Sequence, residues 1–398
     1  MRILFLSRWF PYPPSNGSRL RALGLLRGLA TRHEVTLLSF SEAPEVDADC
    51  PQVLSLCRRV EVVPWREYDP RRPQAALRLL SRAPRSVADT YSVAMERCIR
   101  RALEEGNYDL AIAAQLGAAA YAPLLRGLPA LFDEVEVGLL WERYARSPGL
   151  AQRLRHGLTW LKHRRYLASL LPAFAACTVV SAEERALLRA LAPRYREVHV
   201  IPNCVDLREY GRAYGNPVPG SLVFTGSFRY APNYRAMVWF LERVFPRLRE
   251  AFPEATLTVT GDHAGLGLPT LEGVSLVGHV EDVRPLVARA WVDVAPILEG
   301  GGTRLKILEA MALGTPVVAT RKGAEGLDAV SGEHLLVADA PEAFADATVA
   351  ILADAGLRGR LADAARDLVV RKYDQAVVMP RFLDLVESIA RSPANTAA

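Results

Sequence analysis

Short apolar runs alternate with helix-like segments along almost the whole chain, and this alternation constrains the fold more than any other feature. The first two runs are residues 3–7 and 34–40, which flank a helix predicted for residues 19–31. Residues 198–202 close a first series, and a second series starts at residues 221–225. Because strands that alternate with helices form parallel sheets, the pattern predicts an α/β protein with two Rossmann-like domains. Ligands are expected between the carboxyl ends of their strands.

The composition fits a folded protein with two domains. A chain of 398 residues is too long for one ordinary core, and half of its residues are hydrophobic without biased repeats. The five cysteines have an odd count and no metal-ligand spacing, so we expect reduced thiols. The N-terminal apolar run is too short for a signal peptide, and no stretch of about 18 uncharged apolar residues occurs. The sequence therefore predicts a cytoplasmic protein without a transmembrane helix.

The charge is distributed unevenly. The net charge of the chain is +5, but residues 1–206 carry 29 basic and 21 acidic residues, whereas residues 207–398 carry 20 and 23. The basic half is expected to face something anionic. A nucleic-acid partner is not expected, because no nucleic-acid motif or interleaved stacking aromatics occur. Residues 153–171 combine aromatic and basic side chains, and they predict either an interfacial helix on an anionic membrane or an ordinary surface helix.

A glycine-rich segment runs directly into a predicted helix. The glycines at 300–302 let the backbone approach an anion, and the first amides of the helix point at it with the positive end of the helix dipole. Arg304 and Lys306 add full charges, and Lys306 is one of only four lysines in the chain. Glu309 follows, and a carboxylate is a good acceptor for the two hydroxyls of a ribose. This pattern indicates a nucleotide diphosphate site.

Residues 299–320 resemble the nucleotide-sugar signature of the retaining family 4 of GT-B glycosyltransferases, which often reads GGGTRLKILEAMA followed by GxPVV. Four further segments are similar to landmarks of that family: PNCVD at 202–206, FTGS at 224–227, TGD at 260–262 and VGHVED at 277–282. The resemblance implies a GT-B fold over most of the chain. It places an acceptor-binding domain at residues 1–206 and a nucleotide-sugar-binding domain at residues 207–374. Residues 375–398 are expected to form a helix that crosses back to the first domain, followed by a short tail.

The resemblance also implies roles for individual residues. The two glycine loops of the domains are expected to cradle the diphosphate, Glu309 to hold the ribose, and the backbone around Val280 to meet the base. Arg304 and Lys306 are expected to stabilise the leaving group. Arg229 resembles a phosphate ligand, with an exposed loop charge as the alternative. The residues predicted for the donor site are Asn16, Gly17, Gly226, Ser227, Arg229, Val280, Gly302, Thr303 and Glu309.

Two features of the first domain allow more than one interpretation. Asp133 ends a strand where many relatives have a histidine that contacts the transferred sugar, and Glu134 and Glu136 follow it. These carboxylates either belong to the catalytic site, as we predict for Asp133, or solvate a loop. The loop at residues 11–18 either closes over the donor phosphates or shapes the acceptor entrance, and Ser18 is expected to cap the following helix.

The chain departs from the family pattern in one place that matters for the sugar. Many members have two glutamates separated by seven residues, and Gly301 occupies the first of these positions. Glu299 lies two places too early to replace it. The departure concerns recognition of the sugar and not of the nucleotide.

No metal or other cofactor is expected. Asp47-Ala48-Asp49 has the Asp-x-Asp form that holds a metal in a different glycosyltransferase fold, but it lies in a surface-like loop far from the donor motif. Basic side chains are expected to take the role of the metal.

Together these features predict a glycosyltransferase that moves a sugar from an NDP-sugar to the hydroxyl of a glycan or lipid-linked acceptor, with retention, in the biosynthesis of a polysaccharide, glycolipid or other glycoconjugate. Two alternatives remain. A nucleotide-sugar 2-epimerase shares the fold but needs acid and base groups around the sugar. A non-catalytic sugar-nucleotide-binding protein would need no complete leaving-group site.

Overall fold

The computed structural model describes residues 1–72, 81–147, 149–211, 214–228, 230–263 and 265–391. Contacts within the chain define two units. Unit 1 comprises residues 1–202 and 379–398, and unit 2 comprises residues 203–378. The boundaries thus lie at 202/203 and 378/379, whereas the sequence predicted 206/207 and 374/375.

Unit 1 is built on a parallel sheet with the strand order β3-β2-β1-β4-β5-β6-β7. The strands are β1 (Arg2–Ser7), β2 (Glu34–Ser41), β3 (Arg59–Pro64), β4 (Leu110–Ala114), β5 (Ala130–Asp133), β6 (Ala176–Val179) and β7 (Val198–Val200). Phe5 of β1 pairs with Leu37 on one side and Ile112 on the other. The inner strands are covered on both faces, which explains why they are continuous apolar runs.

Helices cover this sheet. They are α1 (Gly17–Ala30), α2 (Pro44–Asp47), α3 (Pro51–Leu54), α4 (Arg85–Thr90), α5 (Val93–Glu105), α6 (Gln115–Ala119), α7 (Gly138–Ala145), α8 (Leu150–Leu170) and α9 (Ala182–Leu191). The core includes Leu4, Phe132 and Val179, which are almost completely buried.

Unit 2 contains a second parallel sheet, with the strand order β10-β9-β8-β11-β12-β13. The strands are β8 (Ser221–Phe224), β9 (Thr256–Thr260), β10 (Val274–Gly278), β11 (Val292–Ala295), β12 (Val317–Ala319) and β13 (Leu336–Val337). The helices are α10 (Ala231–Trp239), α11 (Phe245–Ala251), α12 (Arg284–Arg289), α13 (Leu305–Ala312), α14 (Arg321–Ala324), α15 (Pro341–Ala353), α16 (Ala355–Leu368) and α17 (Gln375–Arg391), the last of which continues into unit 1. The predicted α/β architecture with two Rossmann-like units is confirmed.

Both sheets have a point at which the strand order reverses. In unit 1 it lies between β1 and β4, and in unit 2 between β8 and β11. In open parallel sheets, ligands bind outside the carboxyl ends of the strands at such a point. The loops that follow β1, β4, β8 and β11 are therefore the first places to look for a site.

The C-terminal part of α17 packs against α1 within unit 1. Met379 is buried, and a Cβ atom on Gly28 would lie only 2.1 Å from its sulfur. Arg32 and Glu387 form an ion pair of 3.4 Å between the same two segments. The absence of a side chain at residue 28 is what allows this close approach.

Gly28→Ala should therefore destabilise the protein, whereas Gly24→Ala in the same helix should not. A Cβ atom on Gly24 meets no atom within 4 Å, and alanine in a helix is favoured over glycine by about 0.5–1 kcal/mol. Overpacking of a buried contact costs about 1–3 kcal/mol. We expect denaturant unfolding to place Gly28→Ala at least about 1 kcal/mol below Gly24→Ala. Equal stabilities would contradict the close packing of α17 on α1.

Candidate functional site

The glycine-rich loop of unit 2 has the backbone conformation that only glycine adopts readily. Gly300 has φ of 106° and Gly302 has φ of 73°. A Cβ atom on Gly300 would lie 2.5 Å from the hydroxyl oxygen of Tyr230. The loop leads into α13, whose first turn receives no side-chain cap. The N-terminus of such a helix can bind an anion.

Arg304 folds back over this loop. Its guanidinium donates hydrogen bonds to the carbonyl oxygens of Gly301 at 2.7 Å, Gly300 at 2.8 Å and Glu299 at 3.3 Å. Arg304 thus fixes the shape of the loop and places a positive charge beside it. Its predicted contact with a leaving group stays a prediction.

Lys306 brings the glycine-rich loop together with the loop after β8. Its Nζ atom lies 4.1 Å from the ring centre of Phe224, at the end of β8, and donates to Asn233 Oδ1 at 3.3 Å. Asn233 in turn donates to the carbonyl oxygen of Ser227 at 2.8 Å. A Cβ atom on Gly226 would lie 2.9 Å from Lys306 Nζ, so a larger residue here would displace the end of the Lys306 side chain. Gly226, Ser227 and Lys306 thus lie together, as a shared phosphate site requires.

Asp293 is a buried carboxylate beside this cluster that the sequence analysis missed. It lies on β11, is completely buried, and neither carboxylate oxygen has a hydrogen-bond partner among the described residues. Burial raises the pKa of Asp293 and lowers the pKa of Lys306, while the attraction between the two charges opposes both shifts. An aspartate inside the apolar run Val292–Ala295 was the available signal, because buried charges are rare unless a nearby charge compensates them.

Glu309 lies on α13 and accepts a hydrogen bond of 2.8 Å from the hydroxyl of Tyr210. This bond uses Oε1. Burial raises the pKa of Glu309, and the hydrogen bond from Tyr210 opposes the shift. Tyr210 was also missed by the sequence analysis. It fixes the orientation of the carboxylate that we predict to hold the ribose.

The remaining predicted donor residues of unit 2 are placed as follows. The hydroxyl oxygen of Thr303 accepts a hydrogen bond of 2.8 Å from Asn203 Nδ2, which ties the glycine-rich loop to the PNCVD segment. Val280 is half-buried in the loop after β10. Arg229 lies outside the described residues. Glu299, near the position of the missing glutamate, pairs with Arg235.

Asp133 at the end of β5 lies in a buried ion pair of unit 1. The side chain is 1% exposed, and Arg21 donates to both of its oxygens, at 2.7 Å and 3.0 Å. Thr178 donates a third hydrogen bond at 2.6 Å. Both carboxylate oxygens thus take part in a buried ion pair, and the catalytic role of Asp133 stays a prediction. The sequence showed the end of the strand but not the arginine that meets it.

The structure corrects the cap of α1. Asn16, and not Ser18, caps the helix, because its Oδ1 accepts the amide of Arg19 at 3.0 Å. The Asn16 side chain is thus engaged in capping the helix, whereas Gly17 is solvent-exposed at the helix N-terminus. The predicted contact of both residues with a diphosphate stays a prediction.

Glu134 directly follows the carboxyl end of β5. Glu134 and Gln115, which follow β5 and β4, are non-glycine residues with positive φ, 60° and 67°. Gln115 Nε2 donates to Glu134 Oε2 at 2.8 Å and to Ser18 Oγ at 2.6 Å. Burial raises the pKa of Glu134 to about 7. Strained residues of this kind cluster at functional sites.

Comparisons with known proteins agree with this geometry. Residues 16–204 match the family model "Glycosyl transferase 4-like domain", and residues 219–354 match "Glycosyl transferases group 1". These matches cover most of both units. The chain belongs to the glycosyltransferase family.

Curated relatives of this glycosyltransferase match about half of its length. It is 34% identical over 208 residues to a phosphatidyl-myo-inositol mannosyltransferase of Mycobacterium leprae, which is 48% of this chain and 54% of the relative. It is 34% identical over 174 residues to the lipopolysaccharide core biosynthesis glycosyltransferase LpsE of Rhizobium meliloti, which is 40% of this chain and 50% of that protein. The chain thus spans about half the length of these relatives.

Solved structures share the fold over nearly the whole chain. Sucrose-phosphate synthase of Thermosynechococcus elongatus has a TM-score of 0.70 at 19% identity, covering 98% of this chain and 99% of that one. Anabaena HepE, solved with UDP and glucose, has a TM-score of 0.67 at 18% identity and coverages of 98% and 100%. The GT-B fold predicted from the sequence is confirmed.

Neither a metal centre nor a membrane span occurs within the described ranges. No group of three or more His, Cys, Asp or Glu side chains there is arranged to hold a metal ion. Likewise, none of the helices in that part of the chain is both long and apolar enough to cross a membrane.

Proposed function

We propose that this glycosyltransferase takes an NDP-sugar as its donor and passes the sugar to an acceptor hydroxyl with retention of configuration, in the biosynthesis of a glycoconjugate. The observation that carries the proposal is the cluster of Lys306, Gly226 and the glycine-rich loop at the strand-order reversal of unit 2. It combines the N-terminus of a helix, a half-buried cation and glycines that allow a close approach.

The proposed chemistry follows from these groups. The diphosphate lies against the amides of α13 and against Lys306, and negative charge on it grows as the bond to the sugar breaks. A fixed cation in a site shielded from water stabilises that charge, which is the largest single contribution in many enzymes. Glu309 holds the ribose. The leaving phosphate takes the proton of the attacking hydroxyl, so that the nucleophile approaches from the side on which the nucleotide leaves.

Product analysis separates this function from its alternatives. The protein is incubated with a panel of UDP-, GDP-, dTDP- and ADP-sugars, with and without a glycan or lipid acceptor preparation. Transfer requires the acceptor, releases the nucleoside diphosphate, and gives a product with the anomeric configuration of the donor. Epimerisation of the donor without an acceptor indicates a 2-epimerase, and binding without turnover indicates a sugar-nucleotide-binding protein. Either result contradicts the proposal.

Turnover should survive chelation of divalent metal ions. We infer this because Lys306 and Arg304 already supply positive charge at the place where a metal would neutralise the diphosphate. The rate of sugar transfer is measured in excess EDTA and after re-addition of Mg²⁺ or Mn²⁺. We expect the rates to agree within about twofold. Loss of activity in EDTA that a divalent ion restores would show that a metal takes part.

We further propose that α8 docks on an anionic membrane, which fits a lipid-linked acceptor. Four leucines form an exposed face on this helix: Leu150 (83% exposed), Leu154 (69%), Leu158 (68%) and Leu161 (38%). Their spacing of four, four and three residues places them on one side of the helix, over a length of about 16 Å. We call these four residues the leucine face.

Basic residues flank the leucine face on both sides. Helical geometry places Arg153 and Arg164 along one side and Arg155 and Lys162 along the other, and α8 contains no acidic residue. An apolar strip between two basic rows is typical of a helix that lies in a lipid interface. Trp160, Tyr166 and Leu167 of the same helix instead pack against the core.

Vesicle flotation tests this docking. Binding should require anionic lipid, decrease at high salt because the Debye length shortens, and decrease at least about tenfold in Leu154→Ser/Leu158→Ser. Val93→Ser, which changes an exposed apolar residue of α5, is the matched control and should bind like the wild type. Equal binding to neutral vesicles, or a concentration-dependent dimer that the leucine replacements abolish, would contradict membrane docking.

A further inference from the structure

Arg8 and Arg19 lie next to each other in unit 1, and neither forms an ion pair with another residue that the structure describes. Arg8 directly follows β1, and Arg19 lies in the first turn of α1. The guanidinium of Arg8 lies 4.0 Å from the ring centre of Trp9 and 3.4 Å from that of Trp65, and Arg19 lies 5.6 Å from the ring centre of Trp9. The indole rings thus hold both cations in fixed positions through cation–π contacts.

These side chains carry hydrogen-bond donors that have no acceptor. No hydrogen bond or ion pair joins the Arg8 guanidinium to any described residue, and Arg19 Nε and Trp65 Nε1 are buried without a partner. The nearest carboxylates, Glu42 and Glu67, attract Arg8 but do not reach ion-pair distance, and both are solvent-exposed. The guanidinium group of an arginine carries five N–H donors. Leaving buried donors unpaired is costly unless a ligand satisfies them.

The electrostatic surroundings also favour an anion. Arg8 and Arg19 repel each other, and this repulsion adds to the burial that lowers the pKa of Arg8. Arg19 sits at the positive end of the α1 dipole, and the first turn of that helix contains no acidic residue. One oxyanion bound here would relieve the repulsion, compensate the dipole and accept the free donors.

The site lies where a Rossmann-like sheet binds its ligands. Arg8 and Trp9 follow β1 at the strand-order reversal of unit 1, and Trp65 follows β3 on the same edge of the sheet. The turn after β1 is fixed, because Ser7 Oγ donates to the Trp9 carbonyl at 2.6 Å and accepts the Trp9 amide at 3.2 Å. The cluster of Ser18, Gln115 and Glu134 joins the first turn of α1 to the ends of β4 and β5.

We propose that Arg8, Arg19 and Trp65 form an oxyanion site for the acceptor, which therefore carries a phosphate or carboxylate group. The inference rests on the proposed function in one respect, namely that the molecule bound by unit 1 is the acceptor. The donor diphosphate could also supply an oxyanion of this kind, and the experiment below distinguishes the acceptor from the donor.

Inorganic phosphate is the first probe. Its Kd for the full-length protein is measured by thermal shift against sodium chloride of matched ionic strength, in the wild type, Arg8→Gln, Arg19→Gln and Lys306→Ala. Arg97→Gln, which removes an exposed charge from α5 of the same unit, is the control. We expect phosphate to bind the wild type, Arg97→Gln and Lys306→Ala alike, and to bind Arg8→Gln and Arg19→Gln at least about tenfold more weakly.

Any other pattern of phosphate binding among these variants contradicts the inference. Binding that is lost in Lys306→Ala and kept in both arginine variants would assign the anion to the donor site, which leaves the proposed function intact. No stabilisation of the wild type, or equal stabilisation of every variant, would show that unit 1 has no oxyanion site. Arg19→Gln keeps the test valid if Arg8→Gln does not fold, because Arg8 is the more central of the two.

A second measurement links the site to the acceptor. Two acceptors that differ only by a phosphate or carboxylate group are compared in the transfer reaction. Arg8→Gln should lower kcat/KM for the charged acceptor at least about tenfold, mainly through the acceptor KM, and change the neutral one by less than twofold. The donor KM should not change. Equal losses on both acceptors would contradict a role in recognising the acceptor anion.

Discussion

Lys306→Ala should lower kcat for sugar transfer by about 10²-fold or more, with a much smaller change in the donor KM. Removing one preorganised donor to a developing anion typically costs about 10²–10³-fold in kcat. The effect falls on kcat because the charge on the diphosphate is larger in the transition state than in the bound donor. Initial-rate kinetics over a range of donor concentrations measure both parameters.

Two control variants make this result specific. Lys372→Ala removes an exposed lysine of the same unit, which pairs with Asp328 at 2.8 Å, and should leave kcat unchanged. Lys306→Ala leaves Asp293 buried without a compensating cation, which is destabilising. Asp293→Asn in the same chain should therefore restore stability without restoring kcat. If the double variant recovered the rate, Lys306 would be a structural residue.

Glu309→Ala should weaken donor binding by about 10- to 100-fold while the protein remains folded. Hydrogen bonds to a charged group are worth about 1.5–3 kcal/mol, and a ribose offers two hydroxyls to this carboxylate. The change should appear in kcat/KM and in the Kd of the nucleoside diphosphate. A decrease of less than about fivefold in kcat/KM, which corresponds to about 1 kcal/mol, would remove Glu309 from the donor site.

Tyr210→Phe separates the contribution of the Glu309 charge from that of the hydrogen bond that orients it. This variant removes the 2.8 Å hydrogen bond that orients Glu309 but leaves the charge in place. We expect kcat/KM and the Kd of the nucleoside diphosphate to lie between the values of the wild type and those of Glu309→Ala. An exposed glutamate, Glu342 on α15, provides the matched control, because Glu342→Ala removes a carboxylate of the same unit far from α13 in the chain.

The sequence predicted the fold better than the interactions within it. The runs at residues 3–7, 34–40 and 221–225 were recognisable as strands, since strands buried on both faces leave a strong local signal. The strand at Leu336–Val337 was missed because two residues carry no recognisable pattern. The sequence also did not separate the inner from the outer apolar face of α8, because two opposite apolar faces on one helix give no single periodic stripe.

The site residues divide in the same way. Gly302, Lys306 and Glu309 belong to one continuous segment, so their pattern was visible in the sequence. Asp293 and Tyr210 meet that segment only through the fold. The buried pairing of Arg21 with Asp133 likewise joins residues 112 positions apart, which no local pattern indicates.

Isothermal titration of UDP, GDP, ADP and dTDP into the full-length protein tests the central claim most directly. We expect that one of these nucleotides binds the wild type, that Glu309→Ala weakens its binding at least about tenfold, and that Arg97→Gln does not. We also expect stabilisation by about 2.7 kcal/mol at a hundred times the Kd. Failure of all four nucleotides to bind, or equal binding by the wild type and Glu309→Ala, would contradict a nucleotide-sugar site built on the glycine-rich loop and α13.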